Sequence, residues 1–270
     1  MGVVIDGATR LMAVIGDPIR QARTPGAINP LFAAKEANVV CVPLHVPADA
    51  LATCWAGLKA MPNLMGFGIT LPHKQAALHL CDALDPVARR VGAVNLVRRE
   101  RDGSFKGYQF DGLGFLRGLA GASIAVEGRD VLMIGAGGAA QAIAFALAEA
   151  GVREIVVANR TRAKAEEMTA KVNADLGHPL VRVGDGPPEP GHLVINATSL
   201  GLNPGDALPL DPDLLAPGMT VAEVVAQPEI TPLLIAAKAR GVQVHSGLRM
   251  IEGQVQVIAD HICEVLQDES

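Results

Sequence analysis

Aromatic residues and paired cysteines are scarce in this sequence. Only 3% of the 270 residues are aromatic while 50% are hydrophobic, so the core must be packed mainly from Ala, Val, Leu and Ile. The cysteines include no C-x-x-C pair: they are Cys41, Cys54, Cys81 and Cys263. Asp6 and Arg10 interrupt any apolar core of a secretory signal. We therefore expect free thiols in a reducing, cytoplasmic compartment.

An excess of charge of one sign is also missing. The formal net charge is -5, and the basic residues are scattered apart from Arg98, Arg99 and a cluster around Arg160. This balance predicts neither nucleic acid nor an anionic membrane as a partner. Residues 131–148 carry no charge and approach the length of a membrane span, but three glycines cluster inside this run. We interpret it as a buried strand followed by a buried helix, and predict no membrane segment.

The pattern of apolar residues predicts an α/β fold in two parts. In the first part, strands are predicted at residues 11–15, 39–46 and 65–70, and helices at 27–37, 50–61 and 73–84. A glycine-rich middle follows at residues 102–121. In the second part, strands are predicted at residues 131–134, 154–158, 193–196, 220–224 and 242–245, and helices at 141–150, 163–176 and 231–240. Because βαβ crossovers need covered sheet faces, we expect largely parallel strands, at least in the second part.

The end of the chain predicts one long amphipathic helix. Its apolar residues recur at steps of three and four: Leu248, Ile251, Val255, Ile258, Ile262 and Val265. This spacing places them on a single face. The helix can therefore pack by that face while its first turns, with Met250 and Gln254, point elsewhere.

A glycine turn predicts a dinucleotide site. Gly135-Ala136-Gly137-Gly138-Ala139-Ala140 follows the apolar residues 131–134 and leads into an alanine-rich stretch. In a G-x-G-x-x-A turn the glycines let the backbone approach a pyrophosphate, whose charge the helix N-terminus favours. Tight strand-to-helix turns also occur without a ligand, so this motif alone leaves both interpretations open.

The residues after the next predicted strand indicate which dinucleotide is bound. An acidic residue at this place would accept hydrogen bonds from the ribose of NAD and repel the extra phosphate of NADP. Here the chain has Asn159-Arg160-Thr161-Arg162 and Lys164, with no acidic residue before Glu166. A basic strand end favours NADP.

Hydride transfer to NADP also needs a group that removes a proton from an alcohol. Lys74 follows a predicted strand end, and Asp111 stands in Gln109-Phe110-Asp111-Gly112. A lysine near a carboxylate can act as an acid–base group when burial and nearby charges set its pKa suitably. From spacing alone, these are two ordinary charged residues, and a solvated lysine and a helix-capping aspartate fit better than a catalytic pair.

The chain resembles the shikimate dehydrogenase family in eight motifs that occur in the family's order and spacing. They are Gly16-Asp17-Pro18-Ile19, Thr70-Leu71-Pro72-His73-Lys74, Gly92-Ala93-Val94-Asn95, Asp111-Gly112-Leu113-Gly114-Phe115, Gly135 to Ala140, Asn159-Arg160-Thr161, Asn196-Ala197-Thr198-Ser199 and Gly247-Leu248-Arg249-Met250. Together they span nearly the whole chain.

This resemblance implies an N-terminal α/β substrate domain over residues 1–108, a Rossmann-type NADP domain over 109–242, and a C-terminal helix over 243–270 that returns to the substrate domain. It implies that Lys74 handles the proton of a substrate hydroxyl and that Asp111 orients and tunes it. The substrate is then a small cyclic hydroxy acid: shikimate, quinate or a relative. Residues implied to bind the substrate are Thr24, Thr70, Asn95 and Gln254. Residues implied to bind NADP are Gly135, Gly137, Gly138, Ala139, Asn159, Arg160, Thr161, Lys164, Thr198 and Gly247.

Several positions depart from the family's pattern. Where members usually have His-Ser-x-Ser-Pro, this chain has Gln21-Ala22-Arg23-Thr24-Pro25. Where members have Asn-Thr-Asp-Gly, it has Gln109-Phe110-Asp111-Gly112. Other polar residues usual in the family are replaced by Gly68, Leu96 and Ala226. A pocket built on hydroxyl and carboxylate contacts loses discrimination when those contacts go. We therefore expect an oxidoreductase that keeps the family's reaction, but whose preferred substrate need not be shikimate.

The remaining features leave alternatives. Arg23 fits either a surface residue or a partner of a carboxylate. His73 is expected to begin a helix or face solvent. His45, His79 and His245 have no partners at metal-ligand spacing, so no metal site is predicted. The chain is expected to be a monomer or homodimer, and a sensor that binds NADP without turnover is the alternative to an enzyme.

Overall fold

The computed structural model describes residues 5–267, which divide into two compact units. Unit 1 contains the described residues up to 110 and those from 254 onward, and unit 2 contains residues 111–253. Each unit is built on its own six-stranded sheet. Two series of alternating elements in the sequence thus form two separate α/β cores.

The sheet of unit 1 is mixed. Its strands are β1 (Arg10–Gly16), β2 (Val39–His45), β3 (Leu64–Ile69), β4 (Ala83–Leu84), β5 (Leu96–Arg99) and β6 (Phe105–Tyr108). They lie in the order β2-β1-β3-β5-β6-β4. β1 is parallel to β2 and β3, whereas β5 is antiparallel to β3 and β6. The carboxyl ends of β1 and β3 therefore lie at the same edge as the start of β5.

Helices cover this sheet because its strands are apolar on both faces. The helices of unit 1 up to residue 110 are α1 (Thr24–Ala34), α2 (Leu51–Lys59), α3 (Lys74–Leu78) and α4 (Pro86–Val91). In β1, Met12 and Val14 belong to one buried cluster, while Ala13 and Ile15 belong to the cluster on the other face. This double burial explains why residues 11–15 form a continuous apolar run.

The sheet of unit 2 is parallel throughout. Its strands are β7 (Asp130–Ile134), β8 (Glu154–Ala158), β9 (Val181–Val183), β10 (Leu193–Asn196), β11 (Thr220–Glu223) and β12 (Gln243–His245). They lie in the order β12-β11-β10-β7-β8-β9. The chain moves from β7 outward on one side and then returns to add β10 on the other. This is the strand order of a Rossmann fold, with its switch point between β7 and β10.

One helix of unit 2 precedes its first strand, the others come between or after its strands, and the last helix crosses the boundary between the units in sequence. The first are α5 (Asp111–Gly121), α6 (Gly138–Glu149), α7 (Arg162–Leu176) and α8 (Pro232–Ala239), and the last is α9 (Gly247–Gln267). In unit 1, Ile258, Ala259 and Ile262 of α9 are buried beside Met12 and Phe32. Within residues 5–267, no helix combines the length and apolarity that crossing a membrane requires.

The secondary structure differs from the prediction in several places, and α4, β5 and β9 were not predicted at all. The predicted helix over residues 73–84 is wrong beyond residue 78, where α3 ends and Ala83–Leu84 form β4. The carboxylate of Asp82 accepts hydrogen bonds from Lys59 and from the backbone N–H of Phe105. Pairing with β6 therefore overrides a helical sequence preference. The glycine-rich residues 102–121, in which no element was predicted, contain β6 and α5.

His245 at the end of β12 predicts an acid-sensitive contribution to stability. Its side chain is 2% exposed, and among the described residues its Nε2 has no hydrogen-bond partner. Burial, together with Arg249, lowers the pKa of His245 from 6.5 to about 4. The unfolded state therefore binds more protons between these values, so the free energy of unfolding decreases as the pH falls from 6.5 towards 4.

We expect His245→Gln to remove this dependence. Between about pH 7 and about pH 4.5, wild-type protein should lose about 2–3 kcal/mol more of its unfolding free energy than the variant. Urea denaturation at the two pH values measures the difference. An equal loss of unfolding free energy in both proteins would show that His245 is not responsible for the pH dependence.

Candidate active site

The glycine turn of unit 2 begins where β7 ends. Gly135 has a φ of +119°, and a Cβ on it would lie 2.8 Å from the carbonyl oxygen of Ala197. Only glycine fits a backbone position that is both left-handed and this crowded. Gly137 caps α6, and a Cβ on it would meet no atom within 4 Å. The turn thus presents open space at the N-terminus of α6, which fits a pyrophosphate.

The residues after β8 form a basic strand end. Asn159 donates a hydrogen bond from Nδ2 to the carbonyl of Thr161 at 2.8 Å, which closes the turn into α7. Arg162 is engaged by Glu166 at 2.9 Å and by Asp185 at 3.7 Å. Within the described residues, Arg160 and Lys164 have no acidic partner of this kind, and both are exposed. Two cations are therefore available to a phosphate at this edge of the sheet.

Two further predicted cofactor positions lie at the same edge of unit 2. Thr198 follows β10, and its hydroxyl donates to Asn196 Oδ1 at 2.6 Å and accepts from the N–H of Leu200 at 3.0 Å. Gly247 begins α9 directly after β12, and a Cβ there would lie 2.4 Å from the carbonyl oxygen of Val225. Parallel strands bring their carboxyl ends together, so turns distant in sequence form one site.

In unit 1, the loop from Thr70 to Lys74 connects β3 to α3. Thr70 N–H donates to the carbonyl of Ile15 at 2.9 Å, and the carbonyl of Lys74 accepts from Val94 N–H at 2.9 Å. His73 caps α3, as predicted, but it is 1% exposed and its Nε2 lies 2.7 Å from the carbonyl oxygen of Val46. Of the two predicted alternatives, beginning a helix or facing solvent, the structure therefore has the first. The buried imidazole fixes the backbone that carries Lys74.

Asn95 and Gln254 are in direct contact although 159 residues separate them. Asn95 Nδ2 donates to Gln254 Oε1 at 2.7 Å, and Asn95 Oδ1 accepts from the backbone N–H of Phe110 at 2.8 Å. Asn95 precedes β5, so it lies at the edge where β3 ends at Ile69. The structure therefore brings together two of the predicted substrate-binding residues, Asn95 and Gln254, through a hydrogen bond between their side chains.

Ala22 and Phe110, two of the replaced family positions, belong to one apolar cluster of unit 1. Thr24 is the first residue of α1 and is half-buried. Phe110 stacks on Tyr108 at 6.0 Å and meets His261 edge-on at 5.0 Å. Ala22 packs against the same cluster as Phe110. The two lost hydroxyls of the family's pattern therefore belong to a single apolar region.

Asp111 is the first residue of α5 in unit 2 and is 2% exposed. The next residue, Gly112, is closely packed: a Cβ on it would lie 2.5 Å from the carbonyl oxygen of Ala142. This approach of α5 to α6 fixes the backbone of Asp111. A buried carboxylate at a helix N-terminus is held in one place and favoured by the helix dipole.

Glu223 is a buried acid that the sequence analysis did not identify. It ends β11, is 0% exposed, and its carboxylate is bonded to Asn196 and Thr231. A signal was present, because Glu223 is the only charged residue in the otherwise apolar run 221–226. An acid inside a strand that is buried on both faces indicates a specific partner.

Family models match both units. A model described as the shikimate dehydrogenase substrate binding domain matches residues 14–97. A model described as shikimate / quinate 5-dehydrogenase matches residues 119–182. The two matches fall on the two sheets described above.

Individual relatives are similar over almost the full chain. A shikimate dehydrogenase (NADP(+)) from Moorella thermoacetica is 42% identical over 256 residues, covering 92% of this chain and 86% of the relative. The structure of shikimate 5-dehydrogenase from Thermus thermophilus in complex with NADP(H) and shikimate has a TM-score of 0.79 at 28% identity, covering 97% of this chain and 100% of that one. The 5-ketofructose reductase of Gluconobacter sp. strain CHM43 has a TM-score of 0.78 at 31% identity, covering 97% and 99%. The chain belongs to the shikimate dehydrogenase family.

Proposed function

We propose that this protein is an NADP-dependent dehydrogenase that interconverts a cyclic hydroxy acid, such as shikimate or quinate, and its ketone. The observation that carries the proposal is the Rossmann sheet of unit 2, whose glycine turn opens at the N-terminus of α6 and whose next strand ends at the exposed cations Arg160 and Lys164. The four free cysteines of the chain support a reducing, cytoplasmic location.

Bound NADP would supply the hydride acceptor of the reaction, and residues of unit 2 would hold it. Gly135, Gly137, Gly138 and Ala139 place the backbone against the pyrophosphate, where the dipole of α6 favours the negative charge. Arg160 binds the 2′-phosphate, supported by Asn159, Thr161 and Lys164. Thr198 and Gly247 line the same edge of the sheet. An acid that would repel the 2′-phosphate is missing from residues 159–165.

Lys74 is the proposed acid–base residue. It accepts the hydroxyl proton as the hydride leaves the carbinol carbon, and returns it in the reverse reaction. Asp111, which begins α5 in unit 2, is the second proposed catalytic residue because it matches the family's motif. His73 keeps Lys74 in position through its buried bond to Val46. These roles rest on the match to the family's motifs.

Asn95, Gln254, Thr70 and Thr24 are the proposed contacts to the substrate. Asn95 and Gln254 hold each other through the 2.7 Å bond, which leaves Gln254 Nε2 for a substrate oxygen. Thr70 lies four residues before Lys74 on the same loop. Such pre-bonded amides recognise hydroxyl groups at fixed positions and discriminate strongly against substrates that lack them.

A second candidate substrate class is an uncharged polyol or keto sugar. Ala22 and Phe110 replace hydroxyl residues of the family's pattern and belong to one apolar region, so fewer polar groups are available to a carboxylate. The related Gluconobacter protein is named for a keto sugar.

Restoring the hydroxyls tests which class is preferred. We expect the double variant Ala22→Ser, Phe110→Thr to raise kcat/KM for shikimate about tenfold, the value of one net hydrogen bond to a charged group. Phe110→Leu is the control, because it alters packing without adding a hydroxyl. If the double variant gains nothing over this control, these two positions do not determine specificity.

Turnover on a substrate panel distinguishes an enzyme from an NADP-binding sensor. Purified protein is mixed with NADP+ and shikimate, quinate or neutral polyols, and the absorbance of reduced nicotinamide is followed. The proposal predicts steady formation of NADPH with at least one compound. Tight NADP+ binding measured by calorimetry, without turnover on any compound, would instead support the sensor.

A further inference from the structure

A buried hydrogen-bond network ends at Glu223 of β11. Glu223 Oε1 accepts from Asn196 Nδ2 at 2.9 Å, and Glu223 Oε2 accepts from Thr231 Oγ1 at 2.6 Å. All three residues are 0% exposed. Within the described residues, no lysine, arginine or histidine pairs with this carboxylate. Its charge is therefore balanced only by two neutral donors, and burial raises the pKa of Glu223.

A buried carboxylate without a cation is costly to the fold, so its presence indicates a specific role for its two hydrogen bonds. Glutamine or leucine would fill the same space without that cost. Within β11, Glu223 lies in the apolar core of a parallel sheet, between Ala222 and Val224 in sequence.

One bond anchors the loop over residues 196–201, which follows β10. Asn196 Nδ2 also donates to the carbonyl of Leu200 at 3.0 Å, and Asn196 Oδ1 accepts from the N–H and the hydroxyl of Thr198. The loop is thus folded around the Asn196 amide. Glu223 fixes the orientation of that amide, because its Oε1 can accept only from the nitrogen side.

The other bond anchors the start of α8. Thr231 caps this helix by accepting from the N–H of Leu234 at 3.2 Å while donating to Glu223. Thr231 also packs on the loop: a Cβ on Gly201, which has a φ of +98°, would lie 3.4 Å from Thr231 Cβ. The carboxylate therefore ties the loop and the helix cap to the same strand.

The far side of the loop rests on the glycine turn. A Cβ on Gly135 would lie 2.8 Å from the carbonyl oxygen of Ala197 and 3.2 Å from Thr198 Cγ2. The turn and the loop follow β7 and β10, the two strands at the switch point where dinucleotides bind in this fold. A shift of Asn196 would therefore move the loop relative to the phosphate-binding turn.

We propose that Glu223 is a positioning residue for the cofactor: through Asn196 and Thr231 it holds the 196–201 loop against the glycine turn in the geometry that NADP requires. The inference rests on the proposed function for the identity of the ligand. Glu223 itself touches no substrate in this scheme.

A double-mutant cycle with a reversed pair tests the proposal. In Glu223→Gln one acceptor becomes a donor that faces Asn196 or Thr231, and in Asn196→Asp a carboxylate faces the carboxylate of Glu223. We expect each single variant to weaken NADP+ binding about tenfold or more, because an unmet buried group is costly. The combination Asn196→Asp, Glu223→Gln restores a complementary amide–carboxylate pair between positions 196 and 223, although not the bond from position 196 to the carbonyl of Leu200. It should therefore recover part of the loss on a logarithmic scale.

Asn173 supplies the matched control. It lies in α7 of the same unit, and its side chain makes three hydrogen bonds to Leu180 and Val181 at the start of β9, the opposite edge of the sheet. Asn173→Ala should lower the Tm without changing the Kd for NADP+. If it weakens NADP+ binding as much as Glu223→Gln at an equal loss of Tm, Glu223 has only a general structural role and the proposal is wrong.

Binding is measured by calorimetry, which needs no turnover. If wild-type protein does not bind NADP+, the proposed function fails. If wild-type protein binds NADP+ and both single variants bind it equally well, the positioning role fails while the proposed function stands. Failure of the reversed pair to recover any affinity would also contradict the proposed Asn196–Glu223 coupling.

Discussion

Replacing Lys74 by alanine is expected to lower kcat by about 10²–10⁴-fold, the usual contribution of a general acid–base group. The Kd for NADP+ should stay within about twofold of the wild-type value, because Lys74 belongs to unit 1 and the NADP residues to unit 2. Steady-state kinetics in both directions, with calorimetry of the cofactor, measure the two effects.

Lys59→Ala is the control for this experiment. Lys59 ends α2, is half-exposed, and pairs with Asp82 at 2.6 Å, near the start of β3 rather than its end. Its loss should leave kcat nearly unchanged. An equal decrease of kcat in both variants, or a matching loss of NADP+ affinity in Lys74→Ala, would argue against the assigned role of Lys74.

Replacing Arg160 by alanine is expected to weaken NADP+ binding about 10–100-fold while leaving NAD+ binding nearly unchanged. The removed hydrogen bonds are charge-assisted and exist only with the 2′-phosphate. Arg162→Ala is the matched control, since Glu166 and Asp185 already engage this guanidinium. The ratio of the two Kd values, measured for each variant, is the readout. An unchanged NADP+/NAD+ ratio in Arg160→Ala would assign the 2′-phosphate contact elsewhere.

The parts of the fold that the sequence predicted are those with local signals. The run 131–134 followed by a glycine turn predicted β7, the turn and α6, because a strand buried on both faces needs apolar residues throughout. The basic residues 159–164 predicted NADP, and this cofactor and the family are confirmed by relatives named shikimate dehydrogenase (NADP(+)). A preference for a phosphate can be predicted from the sequence because the basic residues that provide it are close together in the chain.

Long-range contacts explain what sequence patterns missed. Gly112 and Gly118 belong to a glycine-rich stretch in which no helix was predicted, but they lie inside α5. A Cβ on Gly112 would collide with the carbonyl of Ala142, and a Cβ on Gly118 with the carbonyl of Arg249. Their role is close helix packing, which only the tertiary structure reveals. The Asn95–Gln254 bond and the buried bond of His73 to Val46 likewise depend on contacts between distant segments.

Some predictions about the site await direct measurement. The catalytic roles of Lys74 and Asp111, the substrate contacts, and the domain boundaries at residues 108 and 242 stay predictions. The replaced positions Ala22 and Phe110 illustrate the reason. Their side chains join an apolar cluster, and a static arrangement of apolar groups does not identify the substrate that fits beside it.

Transfer of a labelled hydride tests the central claim most directly. Shikimate carrying deuterium at the carbinol carbon is incubated with the protein and NADP+, and the reduced cofactor is analysed by mass spectrometry. Direct transfer predicts NADPH that carries the deuterium, with a matching loss from the oxidised product, and the same result with quinate if that is the better substrate. Bound cofactor that stays oxidised with both compounds would contradict the assignment as a dehydrogenase of cyclic hydroxy acids.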